Sequence, residues 1–108
     1  MVISAWVYIG RVGRVTKAYE SASELLKVLS APARLAIVTE LAERPRVVHE
    51  LVDLLDMSQP LVSQHLRVLR GARLVSVERK GREAVYSLVD DHVAHIVNDA
   101  VHHSKEQP

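Results

Sequence analysis

The hydrophobic residues change their spacing near the middle of the chain, and this change most limits the folds available to it. Across residues 47–71 they recur every three or four positions, as on one face of an α-helix. Across residues 74–89, segments rich in Val, Leu and Tyr flank Lys80, Gly81 and Arg82, which is typical of a β-hairpin with a glycine in its turn. The sequence therefore predicts short helices followed directly by a hairpin.

The helical stretch divides at Met57. Val47 to Asp56 is predicted as the third helix of the chain, and Ser58 is expected to cap a fourth helix that runs from Gln59 to about Gly71. The predicted buried residues of the fourth helix are Val62, Leu66 and Leu69, and its predicted outward residues are Gln59, Ser63, Arg67 and Arg70. Two short helices, the second polar and basic on its outer side, form a helix-turn-helix.

The preceding segment predicts two more helices. Thr16 to Leu29 carries an apolar stripe, and a second helix follows with Ser30 as its expected N-cap and Pro32 in its first turn. The second helix should end near Arg44, because a proline follows it. Residues 1–15 are then an N-terminal arm, and a last helix is predicted over 90–106 with Asp90 as its cap.

Length and composition indicate one domain over residues 1–108, mainly helical, with a core of Val, Leu, Ile and Ala because aromatic residues make up only 4%. There is no cysteine, which excludes disulfides and thiolate metal ligands. The apolar start of the chain is too short to span a bilayer and resembles no secretory signal, so a cytoplasmic protein without a membrane partner is expected. No recognisable catalytic constellation or phosphate-binding loop is present, and we expect no enzyme.

Charge is divided unevenly along the chain. Residues 1–57 are neutral overall, residues 58–82 carry six Lys or Arg against one Glu, and residues 83–108 carry five acidic residues against one Lys. A basic segment that coincides with a helix-turn-helix predicts contact with double-stranded DNA. An acidic end that also holds four of the six histidines suits a divalent cation.

The acidic end contains Asp90-x-His92 and, ten residues later, His103-x-x-Glu106. On a helix His92 and His103 would share one face, but would lie about 16 Å apart along the axis. Because zinc–nitrogen bonds are about 2.0–2.1 Å long, one ion cannot reach both within a single helix. Two antiparallel copies would bring the first pair of ligands to the second pair, which predicts a homodimer with two equivalent four-ligand sites.

Another set of ligands is compatible with the spacing. His95, Asp99 and His103 follow one another at intervals of four residues on the same helix. His95 and His102 lie outside the four-ligand set and are expected on the surface or beside the ligands. The spacing alone leaves both sets open.

The segments LSAPARLAIVTELAE, HELVDLLDMSQPLVSQHLRVLRGARLVSVERKGREAVYSL and DDHVAHIVNDAVHHSKE together resemble the ArsR/SmtB family of bacterial metal-sensing repressors over about residues 18–106. The resemblance implies a winged helix-turn-helix homodimer with its N- and C-terminal helices at the interface. It identifies Asp90, His92, His103 and Glu106 as ligands of the zinc-sensing branch. It also implies that the metal-free dimer represses transcription and that zinc releases it from operator DNA.

The sequence departs from that family at a second site, which some members build from cysteines near the start of the third helix. Here only His49 and Glu50 carry ligand atoms, so a soft-metal site is not expected. Two imidazoles and two carboxylates suit Zn²⁺, with Co²⁺ as a substitute, and suit Ni²⁺ less well. Alternatives are a regulator that senses Co²⁺, Ni²⁺ or a non-metal ligand, a small metalloenzyme, and a zinc buffer.

The expected DNA contacts fall into two groups. The N-terminal half of the fourth helix should enter the major groove, its arginines should contact phosphate, and the hairpin should follow the backbone or the minor groove. These residues are Gln59, Ser63, Gln64, His65, Arg67, Arg70, Arg79, Lys80 and Arg82.

Overall fold

A computed structural model describes the backbone of residues 5–106 and the side chains of residues 16–106. This part of the chain forms five helices and three strands. They are α1 (Ala5–Leu29), α2 (Pro32–Glu43), β1 (Arg46–Val47), α3 (Val48–Leu55), α4 (Gln59–Gly71), β2 (Val75–Lys80), β3 (Glu83–Leu88) and α5 (Asp91–Glu106). The predicted mainly helical fold with a hairpin is confirmed.

One cluster of aliphatic side chains forms the core and draws on every helix and on the start of β2. Its fully enclosed members are Ile37, Val38, Leu51, Val62, Leu66, Leu69 and Val97. The three predicted inward residues of α4 are all among them. Burying apolar surface contributes roughly 25 cal/mol per Å², and this cluster therefore holds α4 against α2 and α3.

The predicted hairpin is present, and a strand that the sequence analysis missed lies beside it. In the antiparallel sheet β3 lies between β1 and β2, with Val47 opposite Val85 and Val75 opposite Leu88. Two residues are too few to show a period of two, so the pattern of β1 could not be recognised. Its Arg46 is buried and donates to the Glu40 carbonyl at 3.1 Å, which ties β1 to the end of α2.

Two expectations about the N-terminal half were wrong. Helix α1 begins at Ala5 rather than Thr16. Residues 5–15 contain no proline that would interrupt a helix, and their glycines weaken it without breaking it. Residues 1–4 of the expected arm lie outside the described residues. Ser30 does not cap α2, whose N-cap is Ala31. Its hydroxyl donates instead to the Lys27 carbonyl at 2.7 Å, and so satisfies an acceptor at the end of α1.

The connections around α4 show how the backbone turns without glycine. Asp56 ends α3 in the left-handed region at φ 52°, and the Ser58 hydroxyl then accepts from Leu61 N at 3.4 Å, as predicted for the cap of α4. After α4, Arg73 also takes a positive φ, 62°. Leu74 N donates back to the Leu69 carbonyl at 2.9 Å, which directs the chain into β2.

The strained φ at Arg73 generates a stability prediction. A left-handed backbone costs a residue with a side chain roughly 1–2 kcal/mol, and glycine avoids most of this cost while losing some entropy. Arg73→Gly should therefore raise the free energy of unfolding by up to about 1 kcal/mol, measured by urea denaturation at fixed protein concentration. The control Arg70→Gly removes the same charge inside α4 and should lower it by about 1 kcal/mol. Equal destabilisation by both changes would contradict the prediction.

Candidate DNA-binding and metal-binding surfaces

Helix α4 has one buried side and one polar side. At about 100° per residue, Gln64 lies nearly opposite the buried Val62 and Leu66, and Arg67 lies between that outermost position and the flank of the helix; both are exposed. Gln59 and Arg70 are exposed on one flank, and Ser63 is half-buried there. The structure therefore brings five of the expected DNA contacts to one surface of one helix.

His65 lies on the opposite flank of α4 and differs from the others. Its ring is half-buried, and its Nδ1 accepts a hydrogen bond from Arg34 Nε at 3.2 Å. Burial lowers the pKa of His65, and the positive charge of Arg34 lowers it further. The ring is thus held in its neutral form near pH 7, since an unperturbed histidine titrates near 6.5.

The tip of the hairpin presents three cations. Arg79, Lys80 and Arg82 are all exposed. Lys80 pairs with Glu83 at the ends of the strands, so Gly81 and Arg82 form a two-residue turn. Gly81 has φ 64°, the positive value that the first central position of a type II′ turn requires. The hairpin of β2 and β3, called the wing below, therefore projects its basic residues from a defined turn.

Helix α5 is anchored by its valines and capped by an aspartate. Val93 and Val97 are buried, and α5 packs mainly against α2. Asp90 Oδ1 accepts from His92 N at 2.9 Å and from Val93 N at 3.4 Å, which confirms the predicted cap. Within the part of the chain that the structure describes, no protein group hydrogen-bonds the other oxygen, Oδ2. That oxygen is available to a ligand while the cap is kept.

The four expected metal ligands occupy the two ends of α5. Asp90 and His92 lie at its start, His103 and Glu106 lie in its last turn, and all four are exposed. Among the described residues no three His, Asp or Glu side chains of one chain converge on a common point. The alternative set of His95, Asp99 and His103 is not assembled within one protomer either.

The surface between those ends is partly apolar. Ile96 is 38% exposed, and Ala100 follows it one turn later. Both lie on the side of α5 that carries His92 and His103, next to the buried valine face. Tyr19 and Leu26 of α1 are likewise exposed, at 68% and 54%. The first and last helices, α1 and α5, thus carry apolar side chains that a single chain leaves exposed.

The side chains near the start of α3 are committed to structure. Val47 N donates to Glu50 Oε1 at 3.0 Å, and the Arg44 guanidinium pairs with Glu50 Oε2. These two contacts hold the pKa of Glu50 below its ordinary range. With both oxygens of Glu50 occupied, exposed His49 is left as the one ligand-bearing side chain of the pair with free access.

Sequence reasoning missed the contact between Arg34 and His65. Arg34 and His65 are 31 positions apart, and no local pattern signals their contact.

None of the helices among the described residues is both long and apolar enough to cross a membrane.

Comparison with known proteins decides the family. The family model of bacterial regulatory proteins of the arsR family matches residues 31–77. The HTH-type transcriptional repressor SmtB of Mycobacterium tuberculosis is 58% identical over 87 residues, which cover 81% of this chain and 64% of that protein. The chain belongs to the ArsR family of bacterial regulatory proteins. It spans a little under two thirds of the length of the SmtB relatives it matches.

Two further comparisons agree with this membership. The transcriptional regulator NmtR of Mycobacterium tuberculosis is 41% identical over 90 residues, 83% of this chain and 75% of that protein. Reduced HlyU from Vibrio cholerae superposes with a TM-score of 0.76 at 30% identity, covering 87% of this chain and 98% of that one. The winged helix-turn-helix prediction is confirmed. The SmtB and NmtR relatives are named as a transcriptional repressor and a transcriptional regulator, which agrees with the expectation of no enzyme.

The family match leaves the metal open. Residues 31–77 extend from α2 into β2, so they include the helix-turn-helix but neither the wing tip nor α5. The residues expected to bind metal therefore lie outside the segment that defines ArsR-family membership here.

The contacts of Glu50 generate a pH prediction. Because the folded pKa is depressed, Glu50 contributes stability above its ordinary pKa, and the contribution is lost as pH falls through the folded value. Glu50→Gln should lower the free energy of unfolding at pH 7 by about 0.5 kcal/mol, a small figure because the ion pair is partly solvated. In urea denaturation the difference from wild type should shrink towards pH 3. Exposed Glu83→Gln is the control; a deficit for Glu50→Gln that persists at pH 3 would contradict the assignment.

Proposed function

We propose that this chain is a zinc-responsive transcriptional repressor that binds operator DNA as a homodimer and releases it when metal binds between the two α5 helices. The observation that carries the proposal is the symmetry of α5 about Asn98. The midpoint of Asp90 and Glu106 falls on this residue, and that of His92 and His103 falls beside it. An antiparallel pair of α5 helices crossing at this level would align both ligand pairs at once.

The apolar residues of α5 support the same register. Ile96 and Ala100 are also centred on Asn98, and they share the face of His92 and His103. In the proposed pair, Ile96 of each protomer would pack near Ala100 of the other. The exposed apolar residues of α1, including Tyr19 and Leu26, would extend the same interface.

The donor set fits the ion. Two neutral imidazoles and two carboxylates complete a tetrahedron of the kind Zn²⁺ accepts and Co²⁺ tolerates. Asp90 is suited to the role because its Oδ1 is fixed by the helix cap while Oδ2 stays accessible. A bound ion would supply a crosslink between protomers, and four protein ligands would leave no open position for hydrolytic chemistry.

The DNA-binding role draws on the outer side of α4 and the wing. Gln64 and Ser63 can contact base edges in the major groove, where a glutamine pairs bidentately with adenine. Arg67 and Arg70 would contact phosphate, and the wing cations would follow the backbone. Gln59 would contribute at the start of α4, where it is exposed.

Coupling between the two activities follows from the packing of α5. Since α5 packs on α2, and α2 in turn contacts α1, α3 and α4, the position of α5 determines where each α4 lies in the dimer. Half-sites of one operator must be matched by the distance between the two α4 helices. A crosslinked pair with the wrong distance would lose DNA, and by reciprocity DNA would weaken metal binding by the same factor.

The metal ligands can be tested one by one. Wild type should bind about one Zn²⁺ per protomer, and Asp90→Ser or His92→Ala should lower the affinity at least on the order of 100-fold, since even residues behind the ligands cost 10–100-fold. Serine keeps the helix cap, so Asp90→Ser should fold normally by circular dichroism. Chelator competition gives the affinity, and fluorescence anisotropy on the upstream DNA gives the release.

His95→Ala is the matched control for that experiment. Like His92→Ala, it removes an exposed imidazole from α5, and it should leave Zn²⁺ affinity and DNA release unchanged. Loss of affinity in this variant would favour the set of His95, Asp99 and His103. Undiminished zinc-dependent release by His92→Ala would favour a regulator that senses another ligand.

The DNA contacts can be separated by salt and sequence. In metal-free protein, Arg82→Ala should weaken binding to all sequences and reduce the slope of log affinity against log salt by roughly one per protomer. Gln64→Ala and Ser63→Ala should instead reduce discrimination between operator variants. Lys105→Ala, which removes a cation from α5, is the control for net charge and should leave the slope nearly unchanged. An equal loss on every sequence for Gln64→Ala would remove it from the base contacts.

A further inference from the structure

Arg34 links three helices through two hydrogen bonds. It lies in the first turn of α2, its Nη1 donates to the Val28 carbonyl of α1 at 2.9 Å, and its Nε donates to His65 Nδ1 of α4 at 3.2 Å. The guanidinium is rigid and planar, so the two bonds define the orientation of the His65 ring relative to α1 and α2. The first bond satisfies a carbonyl in the last turn of α1, and the second joins two side chains of different helices.

The bond to Nδ1 determines the chemistry of the imidazole. Because Nδ1 accepts, it carries no proton, and a neutral ring must then carry its hydrogen on Nε2. The lowered pKa of His65 agrees with a neutral ring at pH 7. His65 is therefore a pure donor at Nε2, in a tautomer selected by Arg34.

That donor is accessible and has no protein partner. In the described part of the chain no hydrogen bond involves Nε2 of His65. Among the described residues, the one buried side-chain nitrogen or oxygen without a hydrogen bond belongs to Glu40; Nε2 of His65 is therefore not buried, and solvent reaches it. On α4 the ring lies one position beyond Gln64, towards the buried side, and so at the edge of the outer surface rather than at its centre.

We propose that His65 donates its Nε2–H to a phosphate oxygen at the edge of the major groove, and that Arg34 is the positioning residue that keeps this donor formed. The proposal rests on the DNA-binding function above. It favours phosphate over a base edge because Gln64 and Arg67 lie farther round the helix from the buried side of α4 than His65 does.

A neutral donor leaves a distinctive signature. Salt dependence of DNA binding reports the cations that displace counterions from phosphates. A neutral imidazole adds affinity without displacing a counterion, so its removal should lower affinity at every salt concentration by the same factor. Removal of Arg67 or Arg82, in contrast, should change the slope.

The test measures DNA affinity by fluorescence anisotropy at pH 7.5, without metal, across salt and operator variants. His65→Ala should lose on the order of tenfold in affinity per protomer, the typical effect of one hydrogen bond to a charged group. The loss should be equal on all sequences and leave the salt slope unchanged. His65→Gln, whose amide can reach the Nε2 position, should recover most of the affinity; His65→Asn, which is shorter, should not.

The role of Arg34 is tested by a double-mutant cycle. Arg34→Lys keeps the charge but not the planar pair of donors, and it should weaken DNA binding in wild type. In the His65→Ala background the same change should have little further effect, because Arg34 acts through His65. Additive losses would show that Arg34 acts independently and would overturn its positioning role.

The outcomes separate this inference from the proposed function. If the wild type and His65→Ala bind DNA equally well, the role of His65 is overturned while the proposed DNA-binding function stands. If the wild type does not bind DNA, both are overturned. A loss that depends on operator sequence would replace phosphate by a base edge. Imidazole ¹⁵N spectra of wild type give a check that needs no variant: Nδ1 should be unprotonated and Nε2 protonated, and the reverse tautomer would refute the proposal.

Discussion

The packing of α5 against α2 is the contact on which the functional account depends. Val93 and Val97 are almost fully enclosed there, and together they determine which side of α5 faces the core. Because the valines face inward, the neighbouring face of α5 points outward. That outward face carries His92, Ile96, Ala100 and His103. Had the valines been displaced by one position, the helix would turn by about 100° and the ligands would no longer accompany an apolar surface suited to a second α5.

The same packing places α2 between α5 and the helices that carry the proposed DNA-binding surface. It contacts α5 through aliphatic side chains, and its Arg34 contacts both the end of α1 and the middle of α4. A shift of α5 relative to its partner would therefore be transmitted to the DNA-binding surface by a rigid helix rather than through a flexible linker. In this account metal and DNA compete because they favour different separations of the two α4 helices, although their binding residues lie in different parts of the fold.

Much of the fold follows from local patterns. The helices α3 and α4, the Ser58 and Asp90 caps and the hairpin were predicted because their signals lie within a few residues of one another. Strand β1 was missed because its two residues acquire strand geometry only by pairing with β3, and the Arg34–His65 contact was missed because it joins distant segments. Ser30 was misassigned because a hydroxyl at a helix junction can serve either helix, and only the packed backbone selects one. Spacing alone left two sets of metal ligands open, and the proposed set could not be tested within one chain because it takes ligands from two.

Each proposed metal site takes its ligands from both protomers, and mixed dimers test this sharing directly. One variant carries Asp90→Ser with His92→Ala, and the other carries His103→Ala with Glu106→Ala. Neither homodimer has a complete site. After unfolding and refolding together and isolation of the mixed dimer by different affinity tags, the account predicts one tight Zn²⁺ site per dimer, because one protomer retains the first ligand pair and its partner retains the second. A mixed dimer that binds zinc no better than either homodimer would contradict a site shared between protomers.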